Sequence, residues 1–363
     1  MQVRTGHITA LRLFDIAYAI DLSKAEGLWA RRAGTSTRSK LSATPPKAMS
    51  FGVPPVSLRL DPVFLPLGET AAVTARVYDF GVVVIALRLA IVDLPWDGFT
   101  ALMNAAAHSV GSDAVTPWDG LLAQVRDALG EALERPRRVA IEEDYLIGTV
   151  HAFNEDLTAA ALTDRLDLVP LLSGEQRALS DTARADLLRS RFSYYADDLA
   201  VLTWDRAFIY EPRGDSDVAD VIEVANAQLL EMRYYDELLD DELPRMYDLV
   251  ETTRRTANFM QSRRYAKLAR GLYTLVAEVT ELTEKVDNAL QVTGDVYLAR
   301  IYAAALELFR VRVVAAAVDR KLSIIRDTYT ALYDEAQSSR SAVMELSIIL
   351  LIVVEIVLAV VRP

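Results

Sequence analysis

Carboxylates are the residues of this sequence best placed to do chemistry, because pairs of them can hold a divalent cation for phosphoryl transfer. They gather at Glu142 to Asp144, at Asp197 and Asp198, and from Asp236 to Glu242. Acids are abundant throughout the chain, however, and magnesium sites follow no strict spacing. Solvated faces and ion pairs account for these clusters better than a metal site does. Among the basic residues Arg233 stands out, flanked by Met232 and Tyr234 in a helical pattern that aligns Asn226, Leu230, Arg233 and Glu237 on one side. A guanidinium buried there needs an acid, and Asp198 is a candidate; the pair would fasten an N-terminal domain to a C-terminal one.

Other catalytic routes find no residues to carry them. His7, His108 and His151 are far apart, and none has a neighbour at metal-ligand spacing. No phosphate-binding glycine loop of the GxxxxGK or GxGxxG form occurs, and no GxSxG elbow. The absence of cysteine removes thiolate metal sites, disulfides and cysteine nucleophiles together. The sequence therefore predicts no metal, no cofactor and a non-enzymatic role.

Five cations, Arg31, Arg32, Arg38, Lys40 and Lys47, fall between Ala30 and Pro55 with no acid among them, in a stretch of Ser, Thr, Gly and Pro. Such a loop could meet the phosphates of lipid or RNA, although a solvated loop is the simpler account. The whole chain has 51 Asp and Glu against 39 Lys and Arg, a formal charge of −12. That balance argues against direct nucleic-acid binding.

The elements that position these residues change character along the chain. Ile8 to Leu13 alternates like a strand, and in Ala72 to Val92 the residues Ile85, Leu87, Leu89 and Ile91 share one face while Val82 to Leu87 is apolar on both. Leu94 to Gly98 and Thr116 to Gly120 have the wording of helix starts, the second followed by an apolar stripe from Leu121 to Leu133. Tyr145 to Phe153 reads as a strand, Asn154 opens a helix, Ser173 with Gln176 forms a capping box, and Leu199 to Tyr210 reads as a hairpin turning at Asp205 and Arg206. Strands and helices without regular alternation predict an α+β head over residues 1–214.

From Asp215 the pattern is helical. Leu268, Leu272, Leu275, Val279, Leu282, Val286 and Ala289 form a coiled-coil seam, and Val311, Val318, Leu322, Ile325, Tyr329 and Leu332 offer a second one, predicting a long helical hairpin stalk over 215–341. The last stretch, 342–361, is almost wholly apolar and would cover about 30 Å as a helix, enough for a bilayer core. Glu345 and Glu355 interrupt it. The expectation is a C-terminal transmembrane helix, with Glu355 facing another copy in a homo-oligomer. The first residues carry no secretory signal or transit peptide. The predicted placement is accordingly a single-pass tail anchor in the cytoplasmic (inner) membrane with the N-terminal head in the cytoplasm.

Tyr78 to Val84, Phe192 to Leu199, Trp204 to Ala207, Asn226 to Asp236 and the acid-containing apolar tail occur in an order that resembles the Required for Meiotic Nuclear Division family. The resemblance implies an α+β domain, a coiled-coil region and one C-terminal transmembrane helix. It also implies homo-oligomeric assembly and, as in the family's mitochondrial inner-membrane members, support of translation; it supplies no agreed catalytic residue. The function expected from all this is a membrane-anchored scaffold that self-associates and tethers a ribosome or another translation component. A metal-dependent phosphoryl-transfer enzyme or nuclease using the acid clusters is the alternative.

Overall fold

The computed structural model describes residues 1–33, 36–38, 49–110, 117–137, 141–214, 217–254, 258–287, 290–292 and 296–361. In chain order the strands are β1 (Gln2–Asp15), β2 (Ala17–Ile20), β3 (Ser36–Arg38), β4 (Met49–Phe51), β5 (Val56–Phe64), β6 (Thr70–Val77), β7 (Val82–Pro95), β8 (Leu133–Pro136), β9 (Glu142–Phe153), β10 (Arg191–Phe192), β11 (Leu199–Leu202), β12 (Arg206–Tyr210) and β13 (Leu290–Val292). The helices are α1 (Leu22–Ala33), α2 (Trp96–Val110), α3 (Trp118–Leu129), α4 (Ala159–Arg165), α5 (Val169–Ser173), α6 (Asp181–Leu187), α7 (Val218–Arg254), α8 (Asn258–Asp287), α9 (Val296–Leu308) and α10 (Val311–Val361). Two compact units divide them, 1–231 with 285–312 and 232–284 with 313–363.

The first unit is built on a nine-stranded sheet in the order β10-β11-β12-β9-β1-β7-β6-β5-β3. All its pairings are antiparallel except that of β12 with β9. The strand at its centre, β1, is bonded to β7 on one side and β9 on the other. Its even residues Ile8, Ala10 and Phe14 join Ile85, Leu87 and Leu89 of β7 and Val73, Ala75 and Val77 of β6 in one core, which also takes Phe99 and Met103 of α2 and Leu121, Val125 and Leu129 of α3. Gly148 of β9 lets α2 lie close, since a Cβ there would stand 2.8 Å from the Met103 sulfur.

The opposite face is apolar at one end, where Leu11, Leu13, Val82, Val84 and Tyr145 are buried. Here the start of α7, with Val218, Val221, Ile222 and Ala225 buried, is tied to the sheet by Tyr78 and Arg76. Phe309, just after α9, meets the Tyr145 ring edge-on at 5.3 Å, and Tyr302 of α9 donates to Gln228 of α7 at 2.6 Å. In the second unit, Leu272, Val279, Val318, Leu322, Ile325 and Leu332 are buried, and Tyr273 of α8 lies against Tyr329 of α10 with ring centres 5.9 Å apart.

Several expectations are corrected. The fold is not an α+β head on a stalk with a transmembrane helix but a mixed α/β architecture around one large sheet. Among the described residues no helix is long and apolar enough to cross a membrane. Residues 342–361 end the 51-residue helix α10. Two acids, Glu345 and Glu355, interrupt this end of the helix and are exposed, and an ionised carboxylate at a bilayer centre costs roughly 2.5 to 3.5 kcal/mol. The transmembrane helix, the tail anchor and the inner-membrane placement with a cytoplasmic head therefore lose their support.

Smaller differences concern local signals. Ser173 does not open a helix; it closes α5, its hydroxyl donating to the Val169 carbonyl at 2.7 Å. The helix expected after it is short and is capped by Ser180, which accepts from Ala183 N at 3.3 Å. Thr158, not Asn154, caps α4. Pro244 lies inside α7. Arg310, whose φ is 56°, separates α9 from α10.

Gly81 makes the turn from β6 to β7 with φ 99°, and a Cβ on it would collide with the Ala17 carbonyl. A Gly81→Ala variant combines a left-handed penalty with overpacking and should lose about 2 to 5 kcal/mol of stability. Urea unfolding followed by circular dichroism checks this.

Candidate functional site: an arginine-lined groove on the sheet

Side chains of directly paired residues in antiparallel strands share a face. Opposite Leu11, Thr9 and His7 of β1 stand Ala86, Arg88 and Ala90 of β7, and on the other side Tyr145, Ile147 and Thr149 of β9. Thr74 of β6 is opposite Ala86 and Arg76 is opposite Val84, while Arg59 of β5 is opposite Thr74 and Ser57 is opposite Arg76. The face that is apolar under α7 thus becomes polar toward its other end, carrying His7, Thr9, Arg59, Thr74, Arg76, Arg88 and Thr149. These residues line a cavity of about 960 Å³, bordered also by Trp29 and Arg32 of α1 and by Asp220 and Glu223 of α7.

The cations in it are in two states. Arg76 donates to Asp220 at 2.8 Å and lies 3.3 Å from Glu223, which accepts from the Tyr78 hydroxyl at 2.7 Å. Burial alone would lower the Arg76 pKa, but Glu223 and Asp220 more than offset it and hold the guanidinium above its usual value. Burial raises the pKa of both Glu223 and Tyr78. Arg88 is exposed at its tip and donates through Nη2 to His7 Nε2 at 3.1 Å. Its pKa is lowered, first by partial desolvation and then by Arg76. Neither Arg88 nor Arg59 has a carboxylate within ion-pairing distance among the described residues.

His7 can accept from Arg88 only with Nε2 unprotonated. Burial first, then Arg88 and His151, bring its pKa from 6.5 down to about 3. The His151 ring lies 5.2 Å from it, and His151 Nδ1 donates to the Glu211 carbonyl at 3.0 Å. With its lone pair given to Arg88, His7 orients a guanidinium and is not free to act as a base. Two further polar groups on the cavity wall, the Thr9 hydroxyl and the indole N–H of the buried Trp29, have no hydrogen-bond partner among the described residues. Both atoms are buried, so the donors open to a ligand are the exposed guanidinium groups, and these suit a ligand rich in acceptor oxygens.

The residues singled out from the sequence are not brought together. Asp198 accepts from the backbone N–H of Tyr194 and Tyr195 at 2.7 and 3.1 Å, closing its own turn, with half-buried Asp197 beside it. Glu142 lies 3.7 Å from the buried Arg12. Arg233 is exposed on α7, so the burial on which its fastening role rested is missing. Asp236 pairs with Lys321 at 2.6 Å, and Glu355 is exposed. Among the described residues no three His, Asp or Glu gather closely enough to hold a metal ion. Of the five loop cations, Arg31 and Arg32 end α1 and are exposed, and Arg32 borders the groove. The Arg38 side chain, Lys40 and Lys47 lie outside the described residues.

The sequence reading missed His7, Arg59, Arg76 and the role of Arg88. A signal exists in the period-two polar positions His7 and Thr9, Thr74 and Arg76, and Arg88, but it becomes a site only once the strands are in register.

Residues 5–217 match the family described as uncharacterized protein MJ0711, N-terminal domain. The chain belongs to this family. The uncharacterized protein MJ0711 of Methanocaldococcus jannaschii is 26% identical over 214 residues, covering 58% of this chain and 65% of that protein. No solved structure matches. These matches say nothing of the Required for Meiotic Nuclear Division resemblance. The MJ0711 N-terminal domain match takes in the strands from β1 to β12, and with them His7, Arg59, Arg76 and Arg88. It stops just before α7, so Asp220 and Glu223 come from outside the matched stretch.

The low pKa of His7 has a sign that can be checked. The unfolded chain takes up a proton near pH 6.5 and the folded one only near about 3, so the unfolded state binds more protons between these values. Stability from this group is therefore lost as pH falls through that window. In NMR spectra the His7 ring resonances should stay fixed from about pH 8 to 5, where ordinary histidines titrate, and an Arg88→Ala variant should move the midpoint upward.

Proposed function

We propose that the MJ0711 N-terminal domain of this chain is a binding module for a phosphate-bearing ligand, held in the groove between β5, β6, β7, β1 and β9. The observation that carries this reading is Arg88, a guanidinium on the groove floor with no carboxylate within ion-pairing distance among the described residues, bonded to a histidine that stays neutral. Like charges repel, so three arginines on adjacent strands cost stability unless an anion offsets them. Arg76 is neutralised by α7; Arg59 and Arg88 are left for a ligand. A guanidinium fork matches phosphate oxygens and makes bonds roughly twice as strong as neutral ones. The reading keeps the non-enzymatic character expected from the sequence. It moves anion contact from the loop cations to the sheet, with Arg32 common to both. The phosphoryl-transfer alternative has less behind it, since Asp198 closes its own turn and Asp236 pairs with the distant Lys321.

A ligand that binds only the folded state stabilises it by about 2.7 kcal/mol at one hundred times its dissociation constant. Sodium phosphate should therefore raise the melting temperature of the full chain, and sodium chloride of equal ionic strength should not. In the Arg88→Ala variant the phosphate effect should vanish. An equal shift in that variant, or no shift in the parent, contradicts the proposal.

A further inference from the structure

The two uncommitted guanidinium groups stand on separate backbones. From Arg59 the register runs across to Thr74 and on to Ala86, and Arg88 is two residues along the same strand. Two strand spacings of about 4.8 Å and two residues of about 3.4 Å place the Arg59 and Arg88 backbones about 12 Å apart. A single phosphate bound bidentately by one of these guanidinium forks leaves the donors of the other fork unfilled. Arg76 lies between α7 and the groove with its charge already met by Asp220 and Glu223, so it does not bridge the gap. Arg32, exposed at the end of α1, adds a further cation at the border of the cavity. Asp61, exposed on the same wall, is the one acid there without an ion pair among the described residues, so the charge left uncompensated is net positive.

Resting on the anion-binding reading of this groove, we infer that the ligand carries at least two phosphoryl groups, one held at Arg88 and the other at Arg59. Oligophosphate chains and molecules with two separate phosphate esters share this chemistry. The two forks offer separate places for two anionic groups and call for no base or sugar. Arg88 with neutral His7 is the anchor common to every anion. Arg59, on a strand two removed, makes the distinction between one phosphate and several.

Isothermal titration of the full chain with orthophosphate, pyrophosphate, tripolyphosphate and fructose 1,6-bisphosphate, at one fixed ionic strength, tests this. Either tripolyphosphate or the bisphosphate should bind at least tenfold more tightly than orthophosphate, and which of them does so separates a chain from two esters. Arg59→Ala, a substitution at an exposed position, should remove that advantage. Arg88→Ala should weaken every probe. Orthophosphate binding as tightly as all the others overturns the inference and leaves the anion-binding reading standing. An advantage that survives in Arg59→Ala overturns it as well, and failure of every probe to bind overturns both.

Discussion

Everything described in the first unit depends on β1 being hydrogen-bonded along both edges. A strand paired on both sides cannot slip by one residue without exchanging its two faces, so the pairings with β7 and β9 assign each β1 side chain to one side of the sheet. Ile8, Ala10 and Phe14 go to the core shared with α2 and α3. His7, Thr9, Leu11 and Leu13 go to the other face. Along that face the residues change from apolar to polar, and α7 covers only the apolar part. The groove is what remains where a polar stretch of sheet is left beside a helix that needs apolar surface.

Charge then decides what the groove can accept. The first turns of α7 bring Asp220 and Glu223 to Arg76, and the Tyr78 hydroxyl satisfies Glu223 in turn. Glu223 and Tyr78 are buried and Arg76 and Asp220 partly so, which places the worth of the pairing between that of an exposed pair and that of a fully buried one. The network serves to dock the helix. Arg88 is bonded to a neutral imidazole, which positions the guanidinium without cancelling its charge, and Asp220 acts on it only through space. The same sheet face thus holds one arginine used for structure and two without an ion pair among the described residues. The overall acidity of the chain does not oppose this, because a ligand in a groove feels the nearest charges most, and salt screens the rest over about 10 Å.

Much of the sheet could be read from the residues. The alternation of Ile8 to Leu13, the doubly apolar Val82 to Leu87 and the Leu199 to Tyr210 hairpin each correspond to an observed strand or pair, because their patterns are local. In the sequence Arg88 is a lone cation between the apolar residues Leu87 and Leu89. Its significance depends on His7, Arg59 and Arg76, which are distant in sequence and meet through register alone. Acid clusters are conspicuous because they are contiguous, yet Asp198 closes its own turn and Asp236 pairs with the distant Lys321. The C-terminal apolar stretch shows a further limit: hydropathy summed over 342–361 gives length and apolarity, but not the continuous helix from Val311 onto which that stretch is built.

The account rests on an anion sitting against Arg88. Crystals of the full chain grown with selenate, a phosphate-like anion, and measured at the selenium edge locate it directly once the methionines are left unsubstituted. An anomalous peak within hydrogen-bonding distance of the Arg88 guanidinium, on the side away from His7, is the predicted result. A groove without a peak, while selenate is found at other arginines of the chain, would contradict the account.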